Sequence, residues 1–149
     1  PIDWISSAHL SPTGDRLLLT SRGQVFVTST RKGPVTLVAR EPGVRYRDAR
    51  FMPDGISVVA LADRTGEVEV WVVPVDGTTP ARAVTTGATV TRREAFPSPD
   101  GRYVAHQDQD QRLWVHEVAT GAAHEVAHGT HGAFRDLRWS PDGQWLAYV

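Results

Sequence analysis

Three observations predict an all-β fold built from repeated four-stranded antiparallel units. A proline-centred turn occurs four times, as Ser11-Pro12-Thr13-Gly14, Met52-Pro53-Asp54-Gly55, Ser98-Pro99-Asp100-Gly101 and Ser140-Pro141-Asp142-Gly143. Its prolines lie 41, 46 and 42 residues apart (12 to 53, 53 to 99, 99 to 141), a period that marks a propeller blade or a solenoid arm. The runs flanking each turn are short and β-rich, with no sustained helical periodicity. In the turn, proline presets φ at the first corner, aspartate bonds its own backbone and glycine takes the positive φ that closes it. Strand surrounds it on both sides. The fold predicted is a β-propeller.

Each repeat resolves into four strands. In the first, Ile5 to Leu10 precede the turn and Leu17-Leu18-Leu19 follow it. Val25-Phe26-Val27 and Val35 to Val38 come after the Gly23 and Gly33 turns. The second repeat offers Tyr46 to Phe51, Val58 to Leu61, Val70-Trp71-Val72 and Ala81 to Val84. The third offers Arg92 to Phe96, Tyr103-Val104-Ala105, Leu113-Trp114-Val115 and Ala123 to Val126. Phe26, Trp71 and Trp114 occupy one position, each between two aliphatic residues, which predicts a third strand covered on both faces where blade packs on blade. The fourth repeat supplies two strands, Phe134 to Trp139 and Trp145 to Val149. The expectation is about 3.5 blades within 1–149: blades near 4–40, 44–86 and 90–128, and a half blade at 133–149. A closed propeller needs at least about four blades, each covering its neighbour, so the chain reads as part of a larger ring.

Composition narrows the function classes. Apolar residues make up 40% and charged residues 22% of the 149, a balance that can bury a core. A net charge of −1 predicts no nucleic-acid partner. The absence of Cys rules out disulfides, thiolate catalysis and cysteine-ligated zinc, and fits a cytoplasmic protein. No apolar run reaches the roughly 20 residues of a membrane span, so no membrane partner is expected. The chain opens at Pro1 without an initiator Met or a signal peptide, which reads as a cut or processed end.

Two longer stretches resemble the N-terminal propeller region of tricorn-type proteases. One is Arg22-Gly23-Gln24-Val25-Phe26 with Gly43-Val44, Arg47-Asp48, Pro53-Asp54-Gly55 and Gly66-Glu67. The other is Asp108-Gln109-Asp110-Gln111-Arg112-Leu113-Trp114-Val115, continuing through Thr120-Gly121 to Phe134-Arg135-Asp136-Leu137-Arg138-Trp139-Ser140-Pro141-Asp142-Gly143. The turn alone is shared with TolB-like and prolyl-oligopeptidase-type propellers. Met52 in place of Ser, Pro97 at a usually aromatic position and Thr28 to Thr30 without a proline depart from the pattern. The resemblance implies a cytoplasmic, oligomeric serine peptidase as parent, with a six-bladed and a seven-bladed propeller, a PDZ-like domain and catalytic domains further along. This stretch is most like the seven-bladed propeller, through which peptides are thought to reach the active site.

No catalytic residue is expected in the chain itself. A serine hydrolase needs nucleophile, base and oxyanion hole together, and no Gly-x-Ser-x-Gly elbow occurs. Six His are scattered at 9, 106, 116, 124, 128 and 131. His128 and His131 could share a metal, but a solvated loop is the better reading, and His106 reads as a core or interblade histidine. No cofactor and no metal are expected.

One constellation repeats in register. Arg47, Arg93 and Arg135 stand six residues before the turn proline, and Asp48, Glu94 and Asp136 stand five before it; the first repeat has Ser6 and Ser7 there. These positions open the first strand of each blade, which lines a propeller's axis. They predict a charged collar at one channel mouth. Its arginines could offer forks to peptide carboxylates, or could pair with a neighbouring blade's carboxylates and hold the ring together. The function expected is a non-catalytic substrate gate and scaffold of a tricorn-like peptidase acting on oligopeptides. The alternatives are a TolB-like protein-interaction propeller and a substrate-restricting propeller of a prolyl-oligopeptidase-like enzyme. Expected partners are peptide substrates and the remaining blades and catalytic domains of the parent. The open blade faces near Trp139 and Trp145 predict self-association as well.

Overall fold

A computed structural model describes residues 4–39 and 41–149. Fourteen strands follow one another: β1 (Ile5–Leu10), β2 (Arg16–Ser21), β3 (Gln24–Ser29), β4 (Val35–Leu37), β5 (Tyr46–Phe51), β6 (Ser57–Ala62), β7 (Glu69–Pro74), β8 (Arg82–Ala83), β9 (Arg92–Pro97), β10 (Tyr103–Asp108), β11 (Arg112–Glu117), β12 (Ala123–His128), β13 (Arg138–Trp139) and β14 (Leu146–Ala147). They form three four-stranded sheets in sequential order, β1 to β4, β5 to β8 and β9 to β12, plus the two-stranded sheet of β13 and β14. Every pairing is antiparallel. No α-helix occurs among the described residues. The fourth strands of the first two blades are shorter than the sequence predicts, because Val38 and Val84 leave the ladder to enter the core, each keeping a hydrogen bond to the third strand, whereas β12 runs two residues longer, to His128.

Each turn is built the same way from different residues. The glycine N–H donates to the carbonyl three residues back in all four, with φ between 67° and 74° at Gly14, Gly55, Gly101 and Gly143. Ser98 is fully buried; its Oγ donates to Asp100 Oδ1 at 2.6 Å and accepts the Tyr103 N–H at 2.9 Å. Ser140 does the same with Asp142 and Trp145. Met52 has no hydroxyl, and Ser57 compensates: its N–H and Oγ both donate to Asp54. In the first turn Thr13 replaces the aspartate, and Asp15 accepts from both Ser11 and Thr13. The hydroxyl donors hold the Asp15, Asp100 and Asp142 carboxyls below their ordinary pKa. The turns also touch across blades. A Cβ on Gly101 would lie 3.6 Å from Pro53 Cδ, and one on Gly55 3.8 Å from Pro12 Cδ.

The core lies between blades. β6 is buried at all six positions: Val58, Ala60 and Ala62 face Leu18, Val25 and Val27 of the first blade, while Val59 and Leu61 face Ala95 and Val104 of the third. Strict alternation sends neighbouring side chains to opposite faces. Contacts between blades converge on the first strand of the next blade: β1, β2 and β3 meet β5, and β5, β6 and β7 meet β9. The first strands therefore converge on the inner edge of the arc. Trp71 is buried, whereas Phe26 and Trp114 are half-buried. At the last sheet Trp139 joins the core and donates its Nε1–H to Phe96 O at 3.0 Å, while Trp145 remains 74% exposed.

Polar staples cross the same interfaces. Arg16 donates to Gly55 O and Arg82 to Val118 O. Glu69, 2% exposed on β7, accepts from Thr85 Oγ1, from the Ala88 N–H at 2.7 Å and from Arg92 Nε of the next blade at 2.8 Å. A buried carboxylate is tolerable only when its oxygens are satisfied and its charge is matched. Arg92→Ala leaves that charge unmatched and should cost about 3–5 kcal/mol in urea unfolding; a loss under about 1 kcal/mol would show that Glu69 reaches solvent instead. Ser98→Ala strands the Tyr103 N–H and should cost about 1–3 kcal/mol, more than the same change at the exposed Ser140 turn in a parallel melt.

Candidate functional site at the mouth of the inner strands

The collar residues sit where each inner strand is bulged. Pairing of β5 with β6 shifts register between Arg47 and Arg50, and β9 with β10 shifts between Arg93 and Phe96. The acidic residue in each bulge takes a left-handed backbone, with φ 50° at Asp48, 54° at Glu94 and 53° at Asp136. Such a conformation costs a non-glycine residue of order 1 kcal/mol or more, and bulges serve to re-aim side chains. In a regular strand an Arg and the acid after it would point to opposite faces. Here Arg47, Asp48, Arg93 and Glu94 line one cleft of about 540 Å³, closed on the far side by Gln107 and Phe134. Arg135 and Asp136 lie outside that cleft on the exposed edge of the last sheet.

The acids and the arginines have different fates. Glu94 Oε2 accepts from Gln107 Nε2 at 2.7 Å, and the same amide donates to Phe134 O at 2.8 Å, so Gln107 ties the third inner strand to the fourth repeat. Arg47, Arg93 and Arg135 are exposed, and among the described residues none has a carboxylate within 4.0 Å. Pairing of Arg47 or Arg93 with a neighbouring blade's carboxylate is not seen among the described residues. A second cleft of about 510 Å³ adjoins through Arg47 and adds Arg22 and Arg45; its acid, Asp63, caps the Arg45 N–H at 2.7 Å. At the equivalent positions of the first blade, Ser6 Oγ donates to Thr20 O, and Ser7 Oγ is buried with no partner among the described residues.

Residues 5–149 match the family described as the tricorn protease second β-propeller domain. The chain belongs to that family. It is 33% identical over 150 residues to tricorn protease homolog 1 of Streptomyces coelicolor, covering 97% of this chain and 14% of that protein. The crystal structure of the tricorn protease superposes on 99% of the chain with a TM-score of 0.82 at 15% identity, using 14% of its own length. TolB from Acinetobacter baumannii superposes on 97% with a TM-score of 0.79 at 18% identity, using 37% of its length. The two solved structures establish the propeller fold. The chain spans 12–15% of the curated tricorn relatives it matches.

Within this tricorn propeller segment, spacing from the turn proline singles out six charged residues, of which Arg47, Asp48, Arg93 and Glu94 share a cleft and Arg135 and Asp136 do not. The bulge and the role of Gln107 went unread, although two consecutive charged residues interrupting an alternating strand are a legible sign of the first. Among the described residues no group of three or more His, Asp or Glu could hold a metal. His131 Nδ1 lies 2.7 Å from Thr130 Oγ1, both side chains exposed. Among the described residues no helix is long and apolar enough to cross a membrane.

His106 is fully buried on β10, with its Nε2 3.0 Å from His116 Nε2 and its Nδ1 3.2 Å from Gln107 O. Neutral His106 donates from Nδ1 and accepts at Nε2 from His116. Arg92 Nη1 stands 3.5 Å from the same Nε2 and further disfavours a charged ring. Burial pushes its pKa from 6.5 down to about 3, with Arg92 and His116 acting the same way and the Gln107 carbonyl and Asp108 opposing. The unfolded state then binds the proton more readily, so stability is complete above pH 6.5 and drains away as pH falls toward 3. The slope from this group should approach about 1.4 kcal/mol per pH unit. Urea unfolding of His106→Gln between those limits should show a flatter dependence than wild type; equal slopes would refute the assignment.

Proposed function

We propose that this chain is a non-catalytic, substrate-admitting propeller segment of a tricorn-like serine peptidase that degrades oligopeptides. It lines the approach to a catalytic centre located elsewhere in the parent chain and scaffolds the neighbouring blades. Family membership supports the parent, and the absence of Cys suits a reducing cytoplasm. The observation that carries the gating role is the bulged collar, where Arg47 and Arg93 share a cleft with Asp48 and Glu94 yet have no carboxylate partner within 4.0 Å among the described residues.

Alternating guanidinium and carboxylate groups suit a peptide, which brings both donors and acceptors. An arginine that is not already paired can offer its planar fork to a carboxylate without first breaking another bond. Such exposed charges act mainly on encounter and are screened by salt. TolB likeness at 18% identity bears on the fold alone.

In the intact parent, replacing Arg47, Arg93 and Arg135 together by Gln should lower kcat/KM for long acidic oligopeptides by about tenfold, the loss of roughly one charge-assisted hydrogen bond. Short chromogenic amides should be cleaved at the wild-type rate. Equal losses for both substrates, or no loss at low ionic strength, would refute a gating collar.

A further inference from the structure

A second ring position lies two residues deeper than the collar. Three residues before each turn proline stand His9, Arg50, Phe96 and Arg138, one from each repeat. The structure gathers all four in one cleft of about 300 Å³, walled by Phe51 and Trp139. Nothing in the collar requires basic residues here, yet three of these four positions carry them.

Arg50 is the centre of this cleft. Its guanidinium lies over the Phe96 ring, 4.1 Å from the centroid, which fixes its plane. Its Nε is buried with no hydrogen-bond partner, and no carboxylate stands within 4.0 Å among the described residues. Burial lowers its pKa from the ordinary arginine value; Glu94 and Asp48, beyond 4.0 Å, oppose this and Arg138 adds to it. Arginine does not lose its proton in a protein, so the strain cannot be relieved by neutralisation. Half-buried charge without a counterion is what a bound anion would correct. Arg138 spends only Nη1 on the Leu137 carbonyl, at 3.2 Å. His9 is half-buried beside them, its pKa pushed down by burial and by Arg50.

We propose that this cleft is a carboxylate-binding site, in which Arg50 supplies the principal donors, Arg138 the second charge, and Phe96 the platform that holds the fork in plane. The carboxylate comes from a peptide, either its C-terminal group or an Asp or Glu side chain. The peptide as carrier rests on the channel reading above; the anion site itself rests only on Arg50 and its surroundings.

The test is titration calorimetry on the intact protein. Four probes are compared: a neutral peptide with a free C-terminus, its C-terminal amide, the amide with one internal Glu, and sodium acetate. The free acid should bind at least tenfold more tightly than the amide, and acetate should compete with the acid but not with the amide. Arg50→Gln should reduce the acid to the amide's affinity, while Arg102→Gln, on the outer surface, should leave the ratio intact. Recovery of affinity by the internal Glu would assign the site to side chains; its failure would assign it to chain ends. Equal binding of acid and amide without acetate competition would overturn the carboxylate site and leave the peptide channel standing. Acetate binding that depends on Arg50 with no peptide binding would uphold the site and overturn the channel. If Arg50→Gln fails to fold by circular dichroism, the wild-type acetate competition decides alone.

Discussion

Each sheet in this protein has two apolar faces and no way to cover them within its own repeat. The six buried positions of β6 make the constraint concrete, since Val58, Ala60 and Ala62 need the first blade while Val59 and Leu61 need the third. The hydrophobic clusters accordingly lie between blades rather than inside one. Everything else follows from that arrangement. Turns stack proline against glycine because neighbouring blades are held in register, and the Glu69–Arg92 pair crosses the same interface.

Interblade packing also explains where chemistry can reside. Second and third strands largely cover neighbouring blades, and the polar groups buried there are tied into networks such as Glu69–Arg92–His106–His116. The inner strand has one edge free of ladder partners. A bulge can be placed there without breaking the sheet, and charged residues can face the axis without leaving water entirely. The collar and the deeper Arg50 cleft are successive levels of that one edge. They differ in burial: exposed collar arginines act through screened electrostatics, whereas Arg50 sits where an unmatched charge is costly.

The turn shows how a local signature survives changes in its letters. Ser98 and Ser140 each satisfy the returning strand with a hydroxyl, and where Met52 removes that hydroxyl, Asp54 accepts from Ser57 instead. Met52 in turn joins the apolar cluster between the second and third blades. The departure from the repeat thus exchanges a polar bond for interblade packing, with the same backbone result.

The sequence by itself determined the class of fold, the order of the strands and the position of every turn, because those depend on local chemistry: proline and glycine at fixed offsets, and alternating apolar runs between them. It also singled out six charged residues at one offset, since an offset from the turn carries over unchanged from repeat to repeat. Tertiary structure decided which of those residues meet. Arg47, Asp48, Arg93 and Glu94 share a cleft only because left-handed residues bulge the inner strands, and backbone conformation at Asp48 or Glu94 is not written in residue type. It likewise decided that, among the described residues, the collar arginines have no carboxylate within 4.0 Å and that Arg50 is half-buried over Phe96, forty-six residues away in the chain. Burial and the distance between charges are properties of packing between repeats, and no spacing within one repeat encodes them.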